Sequence, residues 1–173
     1  MKALIFMDVD GVINDLIMLR SLRGAQPPIT HDIFTSMAQD GFEYTIYAPK
    51  YLPPLFQKLT EVAEVVWLTT WRGAANEEIR EWLGIDALKA LDCPPKLSEH
   101  PTEWKWRCAA PSAMQAKADD RSVFWVEDFG ADIQARWATE AGVRCLDTSL
   151  SGYVLQEDNL RELIAKCEEL NAS

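Results

Sequence analysis

Two periods alternate in the apolar positions of this chain. Ala3-Leu4-Ile5-Phe6-Met7 is continuously apolar and closes on a glycine-containing turn, which predicts a strand buried on both faces, as in a parallel sheet. Val62–Leu68 and Ser122–Val126 have the same character and predict two further core strands, and Val143–Leu146 predicts a short one. Between them the spacing becomes helical. Pro49–Thr60 puts Leu52, Leu55, Phe56 and Leu59 on one face. Asn76 reads as a cap before Glu77 and Glu78, with Ile79, Trp82 and Leu83 apolar and Gly84 as the stop. Thr102–Lys117 predicts a helix that Pro111 must start, kink or divide. Asp132–Ala141, with Ile133, Trp137 and Ala141 in register, and Glu157–Leu170, with Leu160, Leu163, Ile164 and Cys167, complete the helices. Residues 12–41 keep no period, whereas aromatic and β-branched Phe42–Tyr47 predicts a strand or hairpin arm.

Strands alternating with helices predict an α/β fold, a central parallel sheet with helices on both faces. The C-terminal strand ends of such a sheet gather on the edge where ligands bind. That edge collects Asp8 and Asp10, Thr69 and Thr70, and Glu127 and Asp128.

Composition narrows the classes. A chain of 173 residues suits one domain, or a core with a small insert, and 48% apolar content with seven tryptophans marks a folded globule. The net charge of -10 argues against a broad nucleic-acid-binding face, which needs clustered Lys and Arg, but leaves room for a bound cation. Cys93, Cys108, Cys145 and Cys167 form no CxxC pair and predict reduced, partly buried thiols in a cytoplasmic protein. The first apolar run meets Asp8 too soon for a signal peptide, and no run reaches the length of a membrane span.

The chemistry begins at Asp8-Val9-Asp10-Gly11-Val12. Two carboxylates one residue apart at a buried strand's end repel each other unless a cation or a shared proton relieves them, so a metal site is the natural inference. An EF-hand loop is excluded, because placing Gly11 sixth puts Phe6 first and Ile17 twelfth. Thr69-Thr70-Trp71-Arg72-Gly73 sets hydroxyls before a glycine turn and a helix start, where they either bind a phosphoryl oxygen or simply cap the helix. Lys105, in Trp104-Lys105-Trp106-Arg107, is either a solvated lysine or a countercharge for a phosphoryl group. Glu127-Asp128 at a third strand end either favours a helix N-terminus or completes a Mg²⁺ site with Asp8.

The ordered set over residues 3–132 resembles the four motifs of the haloacid dehalogenase (HAD) superfamily of phosphohydrolases. A receiver domain would need a phosphoacceptor aspartate on a middle strand, which Trp67–Thr70 does not offer, and a toprim-type site has its glutamate strand before the DxD. Compact HAD domains associated with RNA repair look similar around Trp67-Leu68-Thr69-Thr70-Trp71-Arg72. The resemblance implies a Rossmann-like single domain over residues 1–173, with a minimal cap, a flap or hairpin around residues 15–48. It implies that Asp8 attacks phosphorus to form an aspartyl-phosphate, that Asp10 acts as acid and then base, that Thr69 or Thr70 holds a phosphoryl oxygen, and that Lys105 offsets charge. Gly11, Thr70 and Arg72 would line the phosphate side. Mg²⁺ would be held by Asp8, Asp10 through its carbonyl, and Asp128 and Glu127, with Asp132 behind them. Glu127 stands where glycine or aspartate is common, so the direct ligand stays open between Glu127 and Asp128.

A short cap implies an open site for a phosphorylated small molecule, nucleotide or nucleic-acid end, or one whose lid comes from a second copy in a homo-oligomer. Trp71, Trp104 and Trp106 are either base-stacking platforms or core residues. A phosphotransferase or phosphomutase would keep the same residues, whereas a non-catalytic binding module has no need for all of them.

Overall fold

Ala3–Met7 is the central strand, β1, of a parallel sheet in the computed structural model, which describes residues 1–21, 28–92, 96, 103–130 and 133–172. It is followed in chain order by α1 (Leu16–Ser21), β2 (His31–Met37), β3 (Glu43–Pro49), α2 (Leu52–Val62), β4 (Ala63–Trp67), α3 (Glu78–Leu83), β5 (Lys89–Ala90), α4 (Glu103–Ala118), β6 (Val123–Glu127), α5 (Ile133–Glu140), β7 (Arg144–Asp147) and α6 (Glu157–Ala172). Among the described residues the sheet has five strands in the order β5-β4-β1-β6-β7, all parallel, and β2 and β3 form a separate antiparallel hairpin.

β1 is apolar throughout because both of its faces are covered. Leu4 and Phe6 pack with Val66, Leu68, Val123 and Trp125 beneath α4 and α5, while Ile5 and Met7 pack with Val65, Trp67 and Val126 beneath α2, α3 and α6. The chain leaves β1 to build β4 on one side and later β6 on the other, so a crevice opens at the C-terminal end of β1, the switch point of a doubly wound sheet. Met7 lies opposite Trp67 and Val126, which brings Asp8, Leu68 and Glu127 level just beyond them.

The hairpin is clamped to this body. His31 Nε2 lies 3.3 Å from Asp15 Oδ2, Trp82 Nε1 donates to Asp32 Oδ2 at 3.1 Å, Ser36 donates to Glu78, and Phe34 stacks on Trp82 at 5.4 Å. At its base, Asp15 N donates to the Tyr47 carbonyl and Tyr47 N to Asn14 Oδ1.

Several local expectations are corrected. Asn76 is not the cap of α3; its side chain accepts from Trp67 Nε1 and Leu88 N and donates to the Leu88 carbonyl, tying β4 to the strand beside it. α4 runs on through Pro111 as one helix. α5 buries Gln134 and Ala138 rather than Ile133, Trp137 and Ala141, because Gln134 Oε1 accepts from Trp106 N and the small Ala138 lets α5 close on the sheet layer. Cys108 is disulfide-bonded, while Cys145 and Cys167 are free. This corrects the expectation of reduced thiols at Cys108, which lies on α4 one turn beyond Lys105. No helix among the described residues is long and apolar enough to cross a membrane.

Candidate active site

Three strand ends and one helix converge on Asp8. It follows β1 directly, is buried, and its backbone N–H donates to Val126 on β6 at 3.1 Å. Lys105, buried on the first turns of α4, reaches it with Nζ 2.8 Å from Asp8 Oδ2. The same Nζ lies 2.7 Å from each carboxylate oxygen of Glu127, the last residue of β6. Asp8, Glu127 and Asp128 bring one oxygen each within 4.8 Å of one another.

Burying these groups decides their charges. Burial alone would raise Asp8, but the adjoining Lys105 charge, aided by the polar groups of Glu127 and Thr69, holds its carboxyl below the ordinary value. Glu127 goes the other way, pushed well up by burial and then by the Asp8 charge, with Lys105 opposing. Burial and Asp8 push Asp128 up to about 6. Lys105 is raised, since the two carboxylates outweigh its burial. Asp8 and Lys105 are thus biased toward their charged forms, and Glu127 toward its neutral one.

The donor set suits a hard divalent cation. Asp8 Oδ1 is buried without a hydrogen-bond partner, and Asp128 lies against Gly11, whose φ is +71°. A Cβ at Gly11 would stand 2.6 Å from Asp128 Cβ and 2.7 Å from its Oδ2, so only glycine admits this carboxylate beside the Asp8 turn. A charge of +2 added to Lys105 would balance three ionised carboxylates.

Asp10 faces away from that cluster. Asn14 Nδ2 donates to its Oδ1 at 3.1 Å and Trp71 Nε1 to its Oδ2 at 2.8 Å, so both oxygens are fixed. Its carboxyl is raised by burial and by Asp8, against the hydrogen bonds of Trp71 and Asn14. Thr69 is fully buried beside Asp8, with its Oγ1 accepting from Trp71 N at 3.3 Å, whereas Thr70 is exposed in a cavity shared with Asp10.

Asp8, Thr69, Lys105, Glu127 and Asp128 thus meet at one point, with Gly11 and Asp10 beside them. Arg72 does not join them: it adopts a left-handed φ of 49° and pairs with Asp92 at 3.4 Å. Asp132 lies outside the described residues. The tryptophans are packing residues rather than stacking platforms. Trp71 and Trp104 are each 3% exposed, and Trp106 stacks on Trp125 at 6.1 Å. Sequence reasoning missed Asn14, the indole of Trp71 as a partner of Asp10, and Thr148, whose buried hydroxyl donates to the Gly11 carbonyl at 2.6 Å. Only the polar character of Asn14 directly after apolar Val12-Ile13 hinted at any of them.

Residues 4–156 match a family model described as the HAD domain in Swiss Army Knife RNA repair proteins. No curated protein and no solved structure matches the chain.

Proposed function

As the chain belongs to the family of HAD domains found in Swiss Army Knife RNA repair proteins, we propose that it is a Mg²⁺-dependent phosphatase that hydrolyses a phosphate monoester on a nucleotide or RNA end through an aspartyl-phosphate. The observation that carries this reading is the buried contact of Lys105 Nζ with Asp8, 2.8 Å from an oxygen that is kept ionised. A binding module gains nothing from holding a carboxylate ionised, dry and half unpartnered; a nucleophile requires it.

Asp8 attacks phosphorus while the ester P–O bond breaks, and the leaving oxygen takes the Asp10 proton. The raised pKa of Asp10, caused by burial and by the Asp8 charge, favours the protonated form that the acid role needs. Asp10, now ionised, removes a proton from water, whose oxygen attacks the phosphorus and frees Asp8 and inorganic phosphate. Thr69 holds a phosphoryl oxygen from its buried position, and Lys105 offsets the charge that gathers on Asp8 and the phosphoryl group. Asp8, Asp128 and the Asp10 carbonyl would hold Mg²⁺, while Glu127 fixes the Lys105 ammonium through both of its oxygens. The ion, when bound, neutralises phosphoryl charge.

Hydrolysis of an aryl phosphate, measured with Mg²⁺ and with chelator for the native chain and Asp8→Asn, tests this. Turnover that needs both Mg²⁺ and Asp8 is expected. Equal, metal-independent turnover in the two proteins overturns the reading.

A further inference from the structure

Beside Asp10 the hairpin tip builds a cavity. Asp10, Ala38, Asp40, Tyr44, Thr70 and Trp71 line about 290 Å³. Asp8, Lys105 and Glu127 are not among its walls, so the space lies on the side of the acid rather than the nucleophile. A leaving group that takes its proton from Asp10 has to occupy it. The volume is at the low end of small-molecule pockets, suited to one nucleoside rather than a polymer segment.

Among the described residues its walls carry two carboxylates and no cationic side chain. Asp40 is oriented at both oxygens: Phe42 N donates to Oδ1 at 3.0 Å and Tyr44 OH to Oδ2 at 2.8 Å. Tyr44 meets Trp71 edge-on at 5.5 Å, and Trp71 donates to Asp10. An aromatic bridge thus holds the two acids, while Tyr44, 43% exposed, keeps ring surface open to the cavity. A fixed carboxylate has lone pairs left to accept hydroxyl hydrogens, and it repels a second anion.

We propose that this cavity is the leaving-group subsite for the sugar of a nucleoside, and that Asp40 is its specificity-determining residue. The sugar hydroxyls donate to Asp40, and a leaving group that is itself a phosphate is turned away. The site then cleaves sugar phosphate monoesters and spares phosphoanhydrides. This inference rests on the phosphatase reading above. A free nucleoside monophosphate and the phosphorylated end of an RNA strand offer the same sugar chemistry, and the substrates of the test separate them.

The test measures kcat/KM of the full chain with Mg²⁺ on four substrates: an aryl phosphate, a nucleoside monophosphate, an end-phosphorylated RNA oligonucleotide and a nucleoside diphosphate. The native chain is expected to prefer at least one sugar monoester over the diphosphate by about tenfold or more. Whichever of the two monoesters is turned over faster identifies the source of the sugar. Asp40→Asn should shrink that preference by about tenfold, lowering monoester turnover and raising diphosphate turnover. Tyr44→Phe, which frees one oxygen of Asp40, should move it the same way by less. A preference unchanged in Asp40→Asn, or a native chain that cleaves the diphosphate as well as both monoesters, overturns the subsite. If aryl phosphate turnover persists in that case the phosphatase reading stands alone; if aryl phosphate is untouched, both fall.

Discussion

Lys105 Nζ touches both oxygens of Glu127 at 2.7 Å while its third contact is Asp8 at 2.8 Å. The lysine is thereby committed to two carboxyls, and since it engages both oxygens of Glu127, Asp128 is the carboxyl that we assign to the cation. Lys105→Met should lower stability strongly, up to about 3–5 kcal/mol, since it strands buried carboxyls without their partner. It should also cut kcat on the order of a hundredfold. Glu127→Gln should be mild, because burial and Asp8 already favour the neutral form of Glu127. Asp128→Asn should abolish Mg²⁺ binding while Glu127→Gln keeps it. Thermal melts and Mg²⁺ titration calorimetry check the set, and loss of Mg²⁺ binding in Glu127→Gln would reverse the assignment.

Trp71→Phe removes the 2.8 Å indole bond to Asp10 but preserves most of the packing. Burial and the Asp8 charge already raise Asp10, and the lost bond is one of the two hydrogen bonds that oppose them. Its carboxyl should therefore rise further, carrying the alkaline limb of the kcat–pH profile to higher pH. A carboxyl freed at one oxygen should also lose on the order of ten- to a hundredfold in kcat through misplacement. Trp82→Phe is the control. It loses a comparable indole bond, to Asp32, and should shift the melting temperature without moving the limb. Coincident pH profiles for Trp71→Phe and the native chain would remove Asp10 from the acid–base role.

What could be read in advance follows from how local each cause is. β1, β6 and α6 were legible because burial on two faces, or on one helical stripe, writes itself into consecutive apolar positions: Leu4 to Met7, Val123 to Val126, and Leu160, Leu163, Ile164 and Cys167. α1 hides because Leu16-Ile17-Met18-Leu19 is apolar yet buries none of its residues, and Ile17 remains 46% exposed. β5 hides because two residues carry no period. In the site, Asp8, Lys105 and Glu127 could be named from their strand-end or helical context. Their mutual contacts could not, since Lys105 and Asp8 are 97 residues apart. The same holds for Tyr44 and Asp40, whose meaning depends on a hairpin folding back over Asp10.

Acid should stabilise the metal-free protein, and Mg²⁺ should cancel the effect. Asp128 is raised to about 6 from an ordinary 3.8, and Asp10 and Glu127 are raised as well. For such groups the folded state binds protons more tightly than the unfolded chain, so stability falls as pH rises through the folded pKa and returns on acidification. Asp8 is shifted the opposite way, but its contribution is lost only below about its ordinary pKa. Between pH 7 and about 5 the raised groups dominate, and the melting temperature of the metal-free chain should climb as pH drops. Asp128→Asn should flatten part of that slope, which separates it from the general relief of a chain carrying net charge -10. Mg²⁺ requires the ionised carboxylates, so its affinity should weaken about tenfold per pH unit below 6 and its binding should release protons near that pH. Calorimetry in buffers of different ionisation enthalpy counts those protons. Binding without proton release at pH 6, or an Asp128→Asn slope equal to the native one, would separate the ion from Asp128.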